Sequence, residues 1–227
     1  MNGIRLLIDT SKCIGCKACQ IACQQWHSLS PEDTAFVGTY QNPPDMSAAN
    51  LTVTKFFELV NTKLHWLFFK DQCRHCDKPP CKEHCPLNAI VRQVDGIVRI
   101  DPGRCFPDRC SRNAVKPCQA ECEFDEIPRY TYMKAGTRVA TKMRKCDFCY
   151  NRLLGGTNST KKPACQMACP PGAISFGNAD LIMAEATSRL TYLKTHGSSQ
   201  VKIYPEDSGS STHVIWILPQ GEGVYGN

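Results

Sequence analysis

Cys13-Ile-Gly-Cys-Lys-Ala-Cys-Gln-Ile-Ala-Cys23 spaces four thiols as C-x2-C-x2-C-x3-C. At that interval three sulfurs wrap one face of a 4Fe–4S cube, while the fourth, one helical turn on, points toward a second cube. The other twelve of the sixteen cysteines form three more groups of four: Cys73-x2-Cys76-x4-Cys81-x3-Cys85, Cys105-x4-Cys110-x7-Cys118-x3-Cys122 and Cys146-x2-Cys149-x15-Cys165-x3-Cys169. Every group closes on Cys-x3-Cys, so the sequence predicts clusters in pairs.

Spacing also separates iron–sulfur chemistry from its rivals. Cysteine is about 7% of the 227 residues, below the density of short disulfide scaffolds, and the chain is longer than such scaffolds usually are. Zinc is the better rival, because Cys73-x2-Cys76 and Cys146-x2-Cys149 could each be half of a four-cysteine site. Zinc does not need the closing Cys-x3-Cys, so iron and sulfur are preferred. Groups two and four run into Pro86 and Pro170. In the bacterial ferredoxin run such a proline turns the chain out of its short helix and leaves the last thiolate aimed at the neighbouring cube. Group one has Gln24 there and continues as a helix through Trp26. Group three has Glu123 and the loosest spacing, and is where a four-cluster count would fail.

Gap lengths bear on which groups pair. Groups two and three are separated by 19 residues, three and four by 23, and one and two by 49. The short middle gap favours a nested scheme, two with three and one with four. Cys13, Cys16, Cys19 and Cys169 then hold one cube, and Cys146, Cys149, Cys165 and Cys23 its partner. Cys73, Cys76, Cys81 and Cys122 hold a third, and Cys105, Cys110, Cys118 and Cys85 a fourth. The partition of one with two and three with four stays open on spacing alone.

A formal charge of +6 and a pI near 8.6 invite a nucleic-acid reading. The cofactors remove it: four oxidised cubes on thiolates carry roughly 8−, which brings the loaded protein to roughly 2−. Lys17, Arg74 and Lys145 lie inside or beside the cysteine loops, where a positive charge would raise a local reduction potential. Taken singly, each is expected to be an ordinary solvated surface cation. The six histidines are scattered and none is assigned as a ligand. No paired carboxylates, serine triad or Walker pattern emerges, so no bond chemistry is expected of this chain. Neither end reads as a membrane span or a signal peptide, and a chain without its own anchor or leader is the expectation; the longest apolar run near the C-terminus is Val214 to Leu218.

Between the cysteines, Ile4 to Ile8 reads as a strand and Cys19 to Trp26 as a helix. Leu51 to Val60 and Leu64 to Phe69 suit a hairpin around Asn61-Thr62-Lys63. Val91 to Ile100, with Asp95-Gly96 at its centre, is the clearest hairpin. From Asn178 a helix with Ile182, Ala186, Leu190 and Leu193 on one face runs to His196 and stops at Gly197. Thr212 to Leu218 closes as a strand, and Gly221 to Asn227 reads as a loose tail. The expected class is α+β: two ferredoxin-like modules, each binding a pair of clusters. The outer one comprises 1–28 with 138–177 and the inner one 70–137, with an insertion at 29–69 and a C-terminal helix, strand and tail over 178–227.

The first cysteine run with the following Gln-Trp26 resembles the opening of the iron–sulfur (beta) subunits of molybdopterin oxidoreductases. Gln41-Asn-Pro-Pro-Asp45, Trp66-Leu-Phe-Phe-Lys-Asp-Gln-Cys-Arg-His-Cys76 and Cys169-Pro-Pro-Gly-Ala-Ile-Ser-Phe-Gly177 extend the likeness and narrow it toward formate dehydrogenases. The cysteine framework itself is shared with the partners of dimethyl sulfoxide, nitrate and polysulfide reductases. The resemblance implies the nested pairing, with the first cube toward a large catalytic subunit that holds a molybdenum or tungsten bis-pterin. It also implies an electron-transfer role through four 4Fe–4S clusters, between that subunit and a soluble carrier (a cytochrome or ferredoxin) or a further subunit. Two departures stand out: the membrane-bound relatives' C-terminal transmembrane helix has no counterpart here, and group three lacks its proline. The alternatives are the beta subunit of another family member, of the dimethyl sulfoxide, polysulfide or nitrate reductase type, and a free-standing polyferredoxin. The expected location is the periplasm, by co-export with a signal-bearing catalytic subunit, or else the cytoplasm.

Overall fold

Cysteine loops this closely spaced leave room only for short elements, and a computed structural model of the chain, describing residues 3–60, 63–124, 127–154, 162–205 and 212–225, is built largely of them. In chain order they are β1 (Ile4–Asp9), α1 (Ala18–Trp26), β2 (Thr52–Val60), β3 (Leu64–Gln72), α2 (Pro80–Glu83), β4 (Ile90–Arg92), β5 (Val98–Ile100), α3 (Pro107–Cys110) and α4 (Pro117–Ala120). Then follow β6 (Arg129–Lys134), β7 (Thr137–Arg144), α5 (Tyr150–Leu154), α6 (Ala164–Met167), β8 (Ile174–Asn178), α7 (Ala179–Thr195), β9 (Lys202–Tyr204) and β10 (Val214–Leu218).

One four-stranded sheet, ordered β8-β1-β10-β9, organises the molecule. β1 runs parallel to β10, while β8 and β9 pair antiparallel on either side. Alternate residues of a strand face opposite ways, so Leu6, Ile8, Val214, Trp216 and Leu218 meet Phe69 and Phe148 on one face. Leu7, Ile215 and Ile217 meet Ile182 and Ala186 of α7 on the other. Both faces are covered, which is why Val214–Leu218 is apolar without alternation. Asn178 caps α7 by accepting hydrogen bonds from the Asp180 and Leu181 amides at 3.0 and 3.3 Å. Arg189 of α7 donates to Asp9 at 2.8 Å, fixing the helix to β1.

Three antiparallel hairpins complete the framework: β2–β3, β4–β5 and β6–β7. β2 pairs with β3 in continuous register from Thr52↔Gln72 to Val60↔Leu64; Asn61 and Thr62 of the expected turn lie outside the described residues. In the β4–β5 turn, Gly96 has φ +95°, and a Cβ there would lie 2.1 Å from the His213 ring. That ring stands between the Ile4 carbonyl (2.6 Å) and Asp77 (2.9 Å), so the glycine lets the hairpin close onto β10. The β6–β7 hairpin was not anticipated from the sequence, because its residues are charged and half-exposed rather than cleanly alternating.

The reading of Gly221 to Asn227 as a loose tail is corrected over its described part. Gly223–Tyr225 forms a 3-10 turn, and Tyr225, only 2% exposed, fills the space beside Phe57 and Phe69. A single aromatic among glycines carries no periodicity from which this could be read.

Arg74 is corrected too: it is buried rather than solvated. Its guanidinium bonds Asp71 and lies over Trp216, Phe124 and Phe69 at 4.7, 5.1 and 5.7 Å. Burial alone would raise the Asp71 carboxyl. Arg74 and Lys55, the latter at 2.8 Å, outweigh it and hold the group below its ordinary value. A depressed carboxyl stabilises the fold above its unfolded pKa, and that contribution is lost as pH falls through the folded value. Asp71→Asn strands a buried guanidinium and is expected to cost on the order of 3 kcal/mol, roughly 6–12 °C in thermal midpoint. Calorimetry checks this, and the gap between variant and parent should shrink as pH drops below about 3.8.

Candidate metal centres

Groups two, three and four use the same local device. Pro80 and Pro117 open α2 and α4, and Pro163 precedes α6; a proline costs nothing where the first amide has no helical acceptor. One cysteine sits on the helix (Cys81, Cys118, Cys165) and the next lies just past its end (Cys85, Cys122, Cys169). Helix α4 stops at Glu121 without the proline that the ferredoxin pattern places after the last cysteine. In α1, with Gln24 in that place, the helix continues to Trp26 and carries both Cys19 and Cys23.

The C-x2-C loops share a second device. In the C-x2-C step that opens groups one, two and four, the residue before the second cysteine is left-handed: Gly15 (φ +65°), His75 (φ +52°) and Phe148 (φ +55°). Gly15 takes this conformation freely, and a Cβ there would meet the Phe68 ring at 2.7 Å. His75 and Phe148 take it under strain, at a cost on the order of 1–3 kcal/mol each. Their rings stack on one another at 3.8 Å, so packing between the two loops offsets the strain within them. Burial and the neighbouring Lys145 hold the His75 imidazole far below its ordinary value. It is therefore neutral, and Nδ1 accepts a hydrogen bond from the Val98 amide at 3.0 Å. It is a core residue.

The structure gathers the sixteen thiols into four quartets. Cys13 is neighboured by Cys19, Cys169 and Cys16. Cys23, Cys146, Cys149 and Cys165 line one cavity, with Lys70 and Phe148. Cys73, Cys76, Cys81 and Cys122 line a second, and Cys85, Cys105, Cys110 and Cys118 a third. The quartets follow one another: Cys165 lies near Cys19, Lys145 links Cys73 and Cys81 to Cys146, and Cys118 lies near Cys81. All sixteen are free thiols. Burial, with help from neighbouring sulfurs, pushes Cys76, Cys81, Cys118 and Cys149 up to about 12 and Cys13 to about 11.

The donor set fits an iron–sulfur cluster at each quartet. Backbone amides of Ala89, Ala173 and Ala164 point at Cys85, Cys169 and Cys149 sulfurs at 3.3, 3.3 and 3.5 Å, the kind of contact that tunes a cluster's potential. Cations are buried beside them. Lys145, expected at the surface, is buried and donates to the Val98 and Cys146 carbonyls. Lys17 is partly exposed, its ammonium bonded to the Tyr40 and Asn42 carbonyls at 2.9 and 3.1 Å.

Lys70 was missed from sequence. It is 2% exposed and hydrogen-bonds Thr52 Oγ1 at 3.0 Å and Gln72. Burial opposes its charge, but Cys165, Cys19, Cys146 and Cys23 outweigh burial and hold the ammonium above its ordinary value. A lysine inside the aromatic run Trp66-Leu-Phe-Phe-Lys70 was the available signal, since an inward-facing cation in a strand needs a buried anion. His27 lies 3.3 Å from Asp147 beside Cys149, at the rim of the second quartet.

A family profile for a 4Fe-4S dicluster domain matches residues 64–179, and one for a 4Fe-4S binding domain matches residues 6–25. The formate dehydrogenase, nitrate-inducible, iron–sulfur subunit of Escherichia coli (strain K12) is 39% identical over 214 residues, covering 93% of this chain and 67% of that protein. The formate dehydrogenase subunit beta of Megalodesulfovibrio gigas is 32% identical over 222 residues, covering 96% of this chain and 94% of that protein. The formate dehydrogenase 2 subunit beta (cytochrome c-553) of Nitratidesulfovibrio vulgaris matches at 32% over the same shares. The chain spans about two thirds of the length of the E. coli relative and nearly all of the other two. Among the described residues no helix is long and apolar enough to cross a membrane.

A buried ammonium favours the reduced, more negative form of a nearby cluster. Lys70→Met is expected to lower the midpoint potentials of the first and second centres by on the order of 50 mV. Lys70→Arg should restore most of the shift. EPR-monitored redox titration at unchanged iron content measures both, and unaltered potentials in Lys70→Met would remove the electrostatic role.

Proposed function

The chain belongs to the family of formate dehydrogenase iron–sulfur subunits, and from that premise we propose that it carries electrons through four 4Fe–4S clusters for a catalytic partner. The observation that carries this is the unbroken series of four thiol quartets. Cys13, Cys16, Cys19 and Cys169 would hold the first cluster, and Cys23, Cys146, Cys149 and Cys165 the second. Cys73, Cys76, Cys81 and Cys122 would hold the third, and Cys85, Cys105, Cys110 and Cys118 the fourth. This arrangement amounts to two ferredoxin-like modules, the outer from 1–28 with 138–177 and the inner from 70–137. When bound, each cluster supplies a one-electron redox couple. The residues of this chain fix the positions, exclude water and supply the compensating charge.

The partner is a pterin-binding catalytic subunit, with molybdenum or tungsten, that interconverts formate and carbon dioxide. The first quartet faces it. Cys16 is exposed there, Ile14 beside it is exposed, and Tyr40 and Trp66 meet edge-to-face at 5.0 Å next to Lys17. An apolar, aromatic rim of this kind suits a lasting subunit interface. The complex works in the periplasm, reached with a signal-bearing catalytic subunit after cluster assembly in the cytoplasm.

Native purification should yield the chain together with a pterin-containing partner and about sixteen irons per copy. The double variant Cys105→Ala/Cys110→Ala should retain about twelve. A chain that purifies alone and without pterin would overturn the assignment to a formate-oxidising complex.

A further inference from the structure

The far end of the quartet series differs in kind from the first. Two segments frame the fourth quartet. Residues 104–116 contain Arg104, Arg109, Arg112 and Lys116 with Asp108 as their one carboxylate, and the hairpin 129–144 contains Arg129, Lys134, Arg138, Lys142 and Arg144 with none. They pack together: the Tyr130 hydroxyl donates to the Ala114 carbonyl at 3.0 Å, and the Lys116 ammonium lies 5.2 Å from the Tyr130 ring centre. Several of these cations have local work. Arg104 pairs with Asp101 at 3.6 Å, Arg129 with Asp45 at 3.0 Å, Lys116 donates to the Ser111 and Asn113 carbonyls, and Arg138 donates to Thr131. Arg109, Arg112 and Lys142 are exposed, Lys142 while donating to the Pro102 carbonyl, with Asp108 the one exposed carboxylate among them.

At the centre of this surface is Phe106. Its ring is 37% exposed, yet it also lines the cavity of the fourth quartet. Arg109 lies over it at 4.7 Å and Lys142 at 4.8 Å. An aromatic that touches both solvent and cavity, clamped by two cations, is a poor surface for a permanent hydrophobic interface. It is a good one for a brief, steered encounter, where opposite charge sets the approach and a small apolar contact completes it.

We propose that the Phe106 face, with Arg109, Arg112 and Lys142, is the docking surface for an acidic, soluble electron-carrier protein whose carboxylates surround its own redox centre. The inference rests on the four-cluster reading, and it names the charge class of the carrier. A lysine-rimmed carrier, such as a basic c-type cytochrome, is repelled by the same face.

The test uses the cluster-loaded protein in its native complex, titrated calorimetrically with two probes, an acidic [2Fe–2S] ferredoxin and a basic c-type cytochrome. The acidic probe should bind at low salt and lose at least about tenfold in affinity as ionic strength rises past the point where the screening length falls below ~8 Å. Charge reversal in Arg109→Glu/Arg112→Glu/Lys142→Glu should abolish that binding while leaving iron content and visible absorbance unchanged. A carbodiimide, which joins amines to carboxylates, should link the acidic probe through Lys142. Tighter binding of the basic probe overturns the proposal, as does affinity indifferent to salt and to charge reversal, or cross-links confined to the rim near Cys16. The four-cluster reading fails separately, through an iron count near twelve in the parent protein, which the binding data do not affect.

Discussion

Placing sixteen cysteine sulfurs inside one small chain is an electrostatic problem before it is a structural one, and the rest of the molecule answers to it. Burial pushes these thiols well above their ordinary range and so favours their neutral form. As cluster ligands they become anionic, and an interior of low polarity then needs fixed positive charge. Lys70, Lys145, Lys116 and Arg74 supply it, all buried. In an ordinary core each would be expensive; opposite thiolates they are favourable. Cluster ligation by these thiols would therefore be coupled to folding. Helices of four residues such as α2, α4 and α6 cannot persist alone, and ligation at both of their cysteines would fasten them.

Much of the framework was legible from the sequence because its signals are local. The cysteine spacing, the strand at Ile4, the Asp95-Gly96 turn and the Asn178-capped stripe of α7 each lie within one turn or one strand. What escaped depends on partners distant in sequence. Arg74 and Lys145 look like surface cations in the sequence because nothing adjacent shows that Trp216 or Cys73 will cover them. Lys70 and Tyr225 escaped for the same reason. The β6–β7 hairpin has no alternation to announce it, since it is held by contacts to the distant 32–48 and 104–116 segments and much of it is half-exposed. Glu123 in place of proline marked group three as irregular, but helix α4 ends at Glu121 without that proline, so a missing terminator is not a missing cavity.

The quartet order follows from how the cysteines are shared between helices. Cys19 and Cys23 on α1, with Cys165 and Cys169 around α6, place the first and second quartets side by side, and α1 packs on α6. Cys81 and Cys85 around α2, with Cys118 and Cys122 around α4, do the same for the third and fourth, and α2 packs on α4. In each pair a Cys-x3-Cys step on or just past a short helix carries the chain from one quartet to the next, and along α1, where both cysteines are helical, that step is about 6 Å of backbone rise.

No such helix joins the second quartet to the third. That junction is held by packing: the His75–Phe148 stack at 3.8 Å and Lys145, whose backbone leads into Cys146 while its buried ammonium, donating to the Val98 and Cys146 carbonyls, lies near the Cys73 and Cys81 sulfurs. The strained, left-handed residues of two separate cysteine loops meet there, so neither loop can relax without releasing the other. The spacing within each pair is set by covalent geometry and tolerates change elsewhere in the chain. The spacing between pairs depends on packing between distant segments, the stacked rings and the buried ammonium among them, which makes the middle of the series the place where distant packing reaches the electron path.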